Sequence, residues 1–311
     1  MRHCAVLTLL CACLASQAFG WGDDGHKAIN RVAAGRIPAS MPTFLQKAGA
    51  RLEYLGPEPD RWRGRQEFAL KEAQEPDHFI DLERVADMEL PPGRYEFYRL
   101  LYDKRAALVQ QRKGGSPDAL QPDDLLPEHV GLQPYIAMEV YGRLVVAFRE
   151  YRQLKAAGQN TEAVEQNIVF YMGWLGHYVG DAANPLHTTI QYNGWIGPNP
   201  NGYTTGHQIH WQMETQFVGA NLSQLQFADL VKAPARIEDP WQAYLAYLRH
   251  SHTLVEKCYQ LEKTGGFVGA GTADSRQFLR HRLAAGAQML VNLWYTAWLE
   301  SGVSLPATPR N

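Results

Sequence analysis

The chain has little cysteine, no excess of positive charge and, beyond its first 20 residues, no long apolar run. Each absence excludes something. Three of the four cysteines, Cys4, Cys11 and Cys13, fall in the first 20 residues and leave Cys258 alone. If that leader is removed, no intramolecular disulfide can form, and stability must rest on packing and on bound metal. The 30 Lys and Arg residues face 32 Asp and Glu, a formal charge of −2. Loss of Arg2 with the leader takes this to 29 against 32, or −3. No global basic field exists to hold a long duplex, so a phosphodiester partner would need positive charge gathered at the site, in metal ions or a few arginines. No later apolar run approaches membrane-spanning length. Alternating strand-like runs are scarce, and neither repeats nor low-complexity tracts occur.

What is present begins with the leader itself. Arg2 and His3 give a positive start, Cys4 to Leu14 an apolar stretch, and Ala18-Phe19-Gly20 a small-x-small cleavage site, so residues 1–20 read as a secretory signal peptide. A lipobox reading of Leu10-Cys11-Ala12-Cys13 fits poorly. Cleavage after Gly20 sends the protein to the periplasm or outside the cell and frees the α-amine of Trp21. An α-amine titrates near about 7.7 to 8.0, so a metal displaces its proton far more easily than that of a lysine. With His26 five residues on, it makes a ready ligand pair.

The remaining 291 residues (311 less 20) suit one large helical domain, 21–311, of the all-α class with few or no strands. Helical spacing is read over 24–36, ended by Pro38, and again over 42–55. A longer amphipathic stretch starts at Pro134, and another at Thr161 carries Val164, Ile168, Tyr171, Leu175 and Tyr178. The last runs through Phe278, Leu283, Leu290, Trp294 and Trp298, with Asp274-Ser275 as its cap. Segments 84–130 and 192–206 are rich in Pro, Gly and polar residues and read as loop-rich surface excursions.

Chemistry gathers at four places: Trp21-Gly-Asp-Asp-Gly-His26; Asp60-Arg-Trp-Arg63 with Asp77-His78-Phe-Ile-Asp81; His177-Tyr-Val-Gly-Asp181 followed by His187; and His210-Trp-Gln-Met-Glu214. His177 and Asp181 stand one helical turn apart on one face. They can chelate one metal, or share it with a neighbour through a bridging carboxylate. Pro185 breaks the helix and lets His187 return toward the same pocket. His210 and Glu214 repeat the i,i+4 geometry, and a set of imidazoles and carboxylates without cysteine suits zinc. Taken singly, each motif has a plainer reading. His177 with Asp181, or His210 with Glu214, would be an ion pair on a solvated helix; Trp21 an aromatic staple; Arg63 a surface charge; Asp81 a cap or salt-bridge partner. Their joint occurrence, in this order, argues against that. His207 suits an outer shell, while His129, His250, His252 and His281 read as ordinary polar or core residues.

In this order the motifs resemble the trinuclear-zinc superfamily that joins the single-strand-specific zinc nucleases with bacterial zinc-dependent phospholipase C. The resemblance spans residues 21 to about 214. It implies three Zn²⁺: one held by Asp60, His78, His177 and Asp181; a neighbour held by the amine and carbonyl of Trp21, His26 and the shared Asp181; a third held by His187, His210 and Glu214. It further implies attack on phosphorus by a zinc-activated water, with Asp60 orienting that water and Arg63 stabilising charge on the phosphoryl oxygens. Asp81 matches the nuclease position that accepts hydrogen bonds from a base.

The Trp-Gly-Asp-Asp-Gly-His start, the arginine three residues after Asp60, and Asp81 favour the nuclease branch. Glu214 is the phospholipase choice, and the His78 to His177 interval looks longer than in fungal and plant nucleases. Phospholipase C would need aromatics around a choline group where this chain has Arg61 and Glu75; Tyr192, Trp195 and Tyr203 could serve either substrate. The expectation is an endonuclease and 3′-nucleotidase acting on single-stranded DNA and RNA and leaving 5′-phosphates. The alternatives are a phospholipase C acting on phospholipid head groups and a helical zinc-binding module without turnover.

Overall fold

The computed structural model describes residues 21–64, 66–111 and 120–303. The signal-peptide reading of 1–20 lies outside them. Among the described residues the chain is all-α, with no strand and one isolated bridge, Tyr192 to Gly194. Among the described residues no helix is long and apolar enough to cross a membrane.

The helix Glu162–Ala183 is the axis of the molecule. It starts where Asn160 Oδ1 accepts the Glu162 N–H at 2.8 Å, with Glu162 and Glu165 in the first turn, where acidic groups offset the helix dipole. From Met172 to Ala183 every residue but Trp174 is buried, because helices close around it on several sides. These are Gly22–Ala34, Gly49–Leu55, Gln133–Ala156, Pro240–His252 and Ala273–Glu300. One continuous apolar cluster, from Ile29 through Leu144, Ile168 and Leu175 to Leu290 and Trp294, fills the space between them.

Close approach on one side depends on a stripe of small residues. Gly173, Gly176 and Gly180 fall at i, i+3 and i+7, on one helical face. A Cβ on Gly173 would lie 2.3 Å from Leu55 Cβ, on Gly176 1.9 Å from Asn30 Oδ1, and on Gly180 2.9 Å from His26 Nδ1. Asn30 is buried in that contact and donates to Leu52 O at 2.9 Å and Gly173 O at 3.1 Å. The stripe thus draws the helix bearing His26 onto the helix bearing His177.

Three expectations need correction. The helix expected over 42–55 is two pieces, a 3-10 turn Thr43–Lys47 and a helix Gly49–Leu55. The last helix is capped two residues earlier than expected: the Thr272 side chain accepts from Ser275 N at 3.1 Å, and Ser275 Oγ accepts from Thr272 N at 3.0 Å. The 84–130 segment holds an 18-residue helix, Arg94–Gln111, between Pro91-Pro92-Gly93 and Gln121-Pro122. That helix buries Phe97 and Leu101 yet exposes Tyr95, Leu100 and Tyr102, so its apolar residues trace no single stripe. The 192–206 segment is irregular, as read.

Candidate metal centre

The N-terminal helix Gly22–Ala34 brings in His26, and Trp21 anchors its start. The indole is fully buried and its Nε1–H donates to Gly180 O at 2.6 Å. A helix leaves its last carbonyls without intrahelical donors, and at this end side chains supply them. Trp21 donates to Gly180 O and Ser251 to Ala182 O, while Gln133 and Tyr244 add donors to Tyr178 O and Tyr247 to Val179 O just before them. The helix end that carries Asp181 is therefore held from several directions.

His26 stacks on His177 with ring centroids 4.0 Å apart and 21° between planes. The Asp181 carboxylate faces two ways. Its Oδ1 is 3.3 Å from His26 Nε2, while its Oδ2 is 3.1 Å from His78 Nδ1 and 3.3 Å from His177 Nε2. Asp60 Oδ1 stands 3.8 Å from both His78 Nδ1 and His177 Nε2. The short Pro-bearing turns Glu58–Arg61 and Glu75–His78 supply Asp60 and His78. The Pro185–His187 turn brings His187 back, its Nε2 3.1 Å from His210 Nε2 and 3.5 Å from Glu214 Oε2. Glu214 lies in a π-helical stretch, Gln212–Phe217, a rare form that recurs at functional sites, with its Oε2 2.9 Å from His210 Nε2.

Every side-chain ligand expected from the sequence thus falls into one buried region. Three groups have their donor atoms within 4.8 Å of one another: His26, His177 and Asp181; Asp60, His78 and His177; His187, His210 and Glu214. Two imidazoles have their tautomers set from outside these groups. His177 Nδ1 lies 2.9 Å from Gly56 O, and His187 Nδ1 2.7 Å from His78 O. Each must donate there, which leaves the Nε2 lone pair facing the cluster. His26 Nδ1 and Nε2, Asp60 Oδ2, His78 Nε2, Asp181 Oδ1, His210 Nδ1 and Glu214 Oε1 are buried without a hydrogen-bond partner. Buried polar atoms are normally paired, and a concentration of unpaired nitrogen and carboxylate donors without sulfur fits zinc.

The protonation states agree with that fit in part. Burial, with Arg63 adding to it, lowers His78 to about 3, and burial lowers His210 to about 4, so both are neutral at pH 7. Burial alone would raise Asp181, but the imidazoles facing it, His177 first, hold it well below the usual range. Burial raises Glu214 to about 8, with the neighbouring His187 opposing it.

A cavity of about 440 Å³ opens beside the groups, walled in part by His78, His187, His210, Arg63 and Tyr192. Arg63 Nη1 donates to Asp60 Oδ1 at 3.1 Å, and its Nη2 lies 3.6 Å from Glu75 Oε1. Asp81 reaches the same cavity, but its carboxylate already accepts from Arg84 Nε at 2.9 Å. Burial, opposed by Arg84, raises it to about 7. The sequence reading missed Arg84, Asn184, the indole bond of Trp21 and the glycine stripe. The stripe, the Asn184-Pro185 pair and the i,i+3 pair of Asp81 and Arg84 were visible as local spacing or a cap signal; the indole bond to Gly180, 159 residues away, was not.

No protein-family model matches the sequence, and no curated protein matches it either. Among solved structures, the chain is similar to the alpha-toxin of Clostridium perfringens from avian strain SWCP, at 14% identity and a TM-score of 0.40. The alignment covers 91% of this chain and 64% of that one, so this chain spans less than two thirds of the toxin's length.

Proposed function

We propose that this chain is an exported zinc-dependent phosphodiesterase that cleaves single-stranded DNA and RNA to 5′-phosphate products and removes phosphate from 3′-nucleotides. The observation that carries it is the packing together of three buried His/Asp/Glu groups, two of which reach a cavity with Arg63 on its wall. Zinc bound there would supply Lewis acidity toward a phosphate ester and toward an attacking water. His26 and Asp181 would hold one ion, with the Trp21 amine and carbonyl completing the set; Asp60, His78 and His177 would hold the next, with Asp181 shared; His187, His210 and Glu214 would hold the third.

Asp60 Oδ2, which has no protein partner, orients the attacking water and accepts its proton. Arg63 keeps its guanidinium at the cavity wall through Asp60 and Glu75, where its donor fork meets the charge that builds on the phosphoryl oxygens. Asp81 and the half-exposed ring of Tyr192 offer a base an acceptor and a stacking face. The formal charge of −2 favours short or unpaired strands, since duplex binding draws on many phosphate contacts.

A phospholipid head group is the second reading, favoured by Glu72, Glu75 and Glu128 on the cavity wall, which a cationic group would neutralise. Processed, zinc-loaded protein should degrade single-stranded DNA and RNA and leave phosphatidylcholine vesicles intact. Hydrolysis of the lipid alone replaces the nuclease reading, and turnover of neither substrate leaves a zinc-binding module. Residues retained ahead of Trp21 should remove the ion held with His26 and most of the activity; full metal content in such a protein refutes the N-terminal ligand.

A further inference from the structure

Asn184 follows directly on the central helix and is fully buried. Its side chain makes two bonds in opposite directions. The Oδ1 accepts from Leu186 N at 3.0 Å and caps the Pro185–His187 turn. The Nδ2 donates to Glu214 Oε2 at 2.8 Å. The first bond shapes the turn that carries His187; the second grips the carboxylate oxygen that faces His210 Nε2 at 2.9 Å and His187 Nε2 at 3.5 Å.

We propose that Asn184 is the positioning residue of the third group, setting the distance between His187 and Glu214 with one planar amide. The inference rests on the metal-centre reading above. A glutamate reaches its ligand atom through three rotatable bonds, and nothing else holds this one apart from the histidines it faces: its Oε1 has no partner. His187 is fixed from its other side through His78 O. With the turn capped and the carboxylate held, the donors converge before an ion arrives, so little reorganisation is needed on binding. An apolar side chain at 184 would leave the Leu186 N–H and the Glu214 oxygen both buried and unpaired.

The test is zinc and cobalt(II) content of the processed chain against rising chelator, with the cobalt visible spectrum as a second readout. Asn184→Leu removes both bonds. Asn184→Ser keeps a hydroxyl able to cap Leu186 but too short to reach Glu214. Both should weaken one of three ions by about 10- to 100-fold, the usual effect of removing a partner of a metal ligand, while the other two stay bound. In a His210→Ala background, where the third group already lacks a ligand, Asn184→Ser should add no further loss. Unchanged affinity in Asn184→Ser overturns the proposal, as does parallel loss of all three ions, which marks a general packing role. A wild-type chain that takes up fewer than three ions overturns the metal-centre reading and this proposal with it. Three ions in the wild type and in both variants, equally held, overturn this proposal alone.

Discussion

At the scale of single residues, Trp21 shows how a side chain and its backbone come to serve one site by separate routes. The order of motifs points to its amine; its indole reads as incidental to coordination, yet it holds the carbonyl next to Asp181. Trp21→Phe with a correct N-terminus keeps the aromatic bulk but leaves Gly180 O buried without its donor. An unmet buried acceptor costs about 1–3 kcal/mol, so urea unfolding of the metal-free chain should lose that much. A change within error would mean that Gly180 O finds another donor. Glu214 makes a second prediction. Its carboxyl keeps a proton up to about 8 in the metal-free chain, whereas a ligand must be a carboxylate. Metal uptake should therefore release one more proton from the wild type than from Glu214→Gln at pH 6.5 and the same number at pH 9.5, read by calorimetry in buffers of different ionisation enthalpy; the Trp21 amine contributes equally to both chains. Equal release by the two chains at pH 6.5 would show that Glu214 is already ionised. The i,i+4 pairs were legible in the sequence because helix geometry joins residues four apart. The indole bond was not, since its partner lies 159 residues away.

At the scale of elements, the central helix meets its neighbours through glycines rather than interlocking side chains. Gly176→Ala puts a methyl 1.9 Å from Asn30 Oδ1, and Asn30 is tied on both sides by its bonds to Leu52 O and Gly173 O. Helix propensity favours alanine by about 1 kcal/mol, so a gain would be expected of an unconstrained helix. Here overpacking, about 1–3 kcal/mol or more, should win and also part His26 from His177. A thermal melt together with metal content checks this: a stabilised variant with full metal would show that the helices can separate freely. The start of the last helix was misread because Thr272, Asp274 and Ser275 are all good caps by type, and only the Thr272 to Ser275 bonds decide among them. The Arg94–Gln111 helix escaped because propensity and amphipathic spacing disagree within it, and packing of Phe97 and Leu101 settles the matter.

At the scale of the whole molecule, the site concentrates buried charge that zinc would balance, so removing the metal should change how stability depends on pH. His78 and His210 have folded values near 3 and 4 against 6.5 when unfolded. Between those values the unfolded chain binds more protons, and stability rises with pH. Glu214, Asp77 and Asp81 run the other way: burial raises them to about 8, 7 and 7, so the unfolded chain binds fewer protons and stability falls as pH rises. The two sets oppose each other up to pH 6.5. From there to pH 8 the carboxyls act together with His177, which Asp181 and Asp60 raise against its burial, and the metal-free chain should lose stability on chemical denaturation while zinc flattens the trend. Rising stability over that range would refute the raised carboxyl values. What the sequence determined by itself was the helical class, the absence of a disulfide framework in a processed chain, and the ligand types with their local spacing, because these depend on composition and on contacts one turn away. The tertiary structure alone decided that Asp181 faces both of its neighbouring groups, that the Trp21 indole reaches Gly180 O, and that Asn184 joins His187 to Glu214. Such contacts depend on how closely whole helices approach, and no local pattern sets that distance.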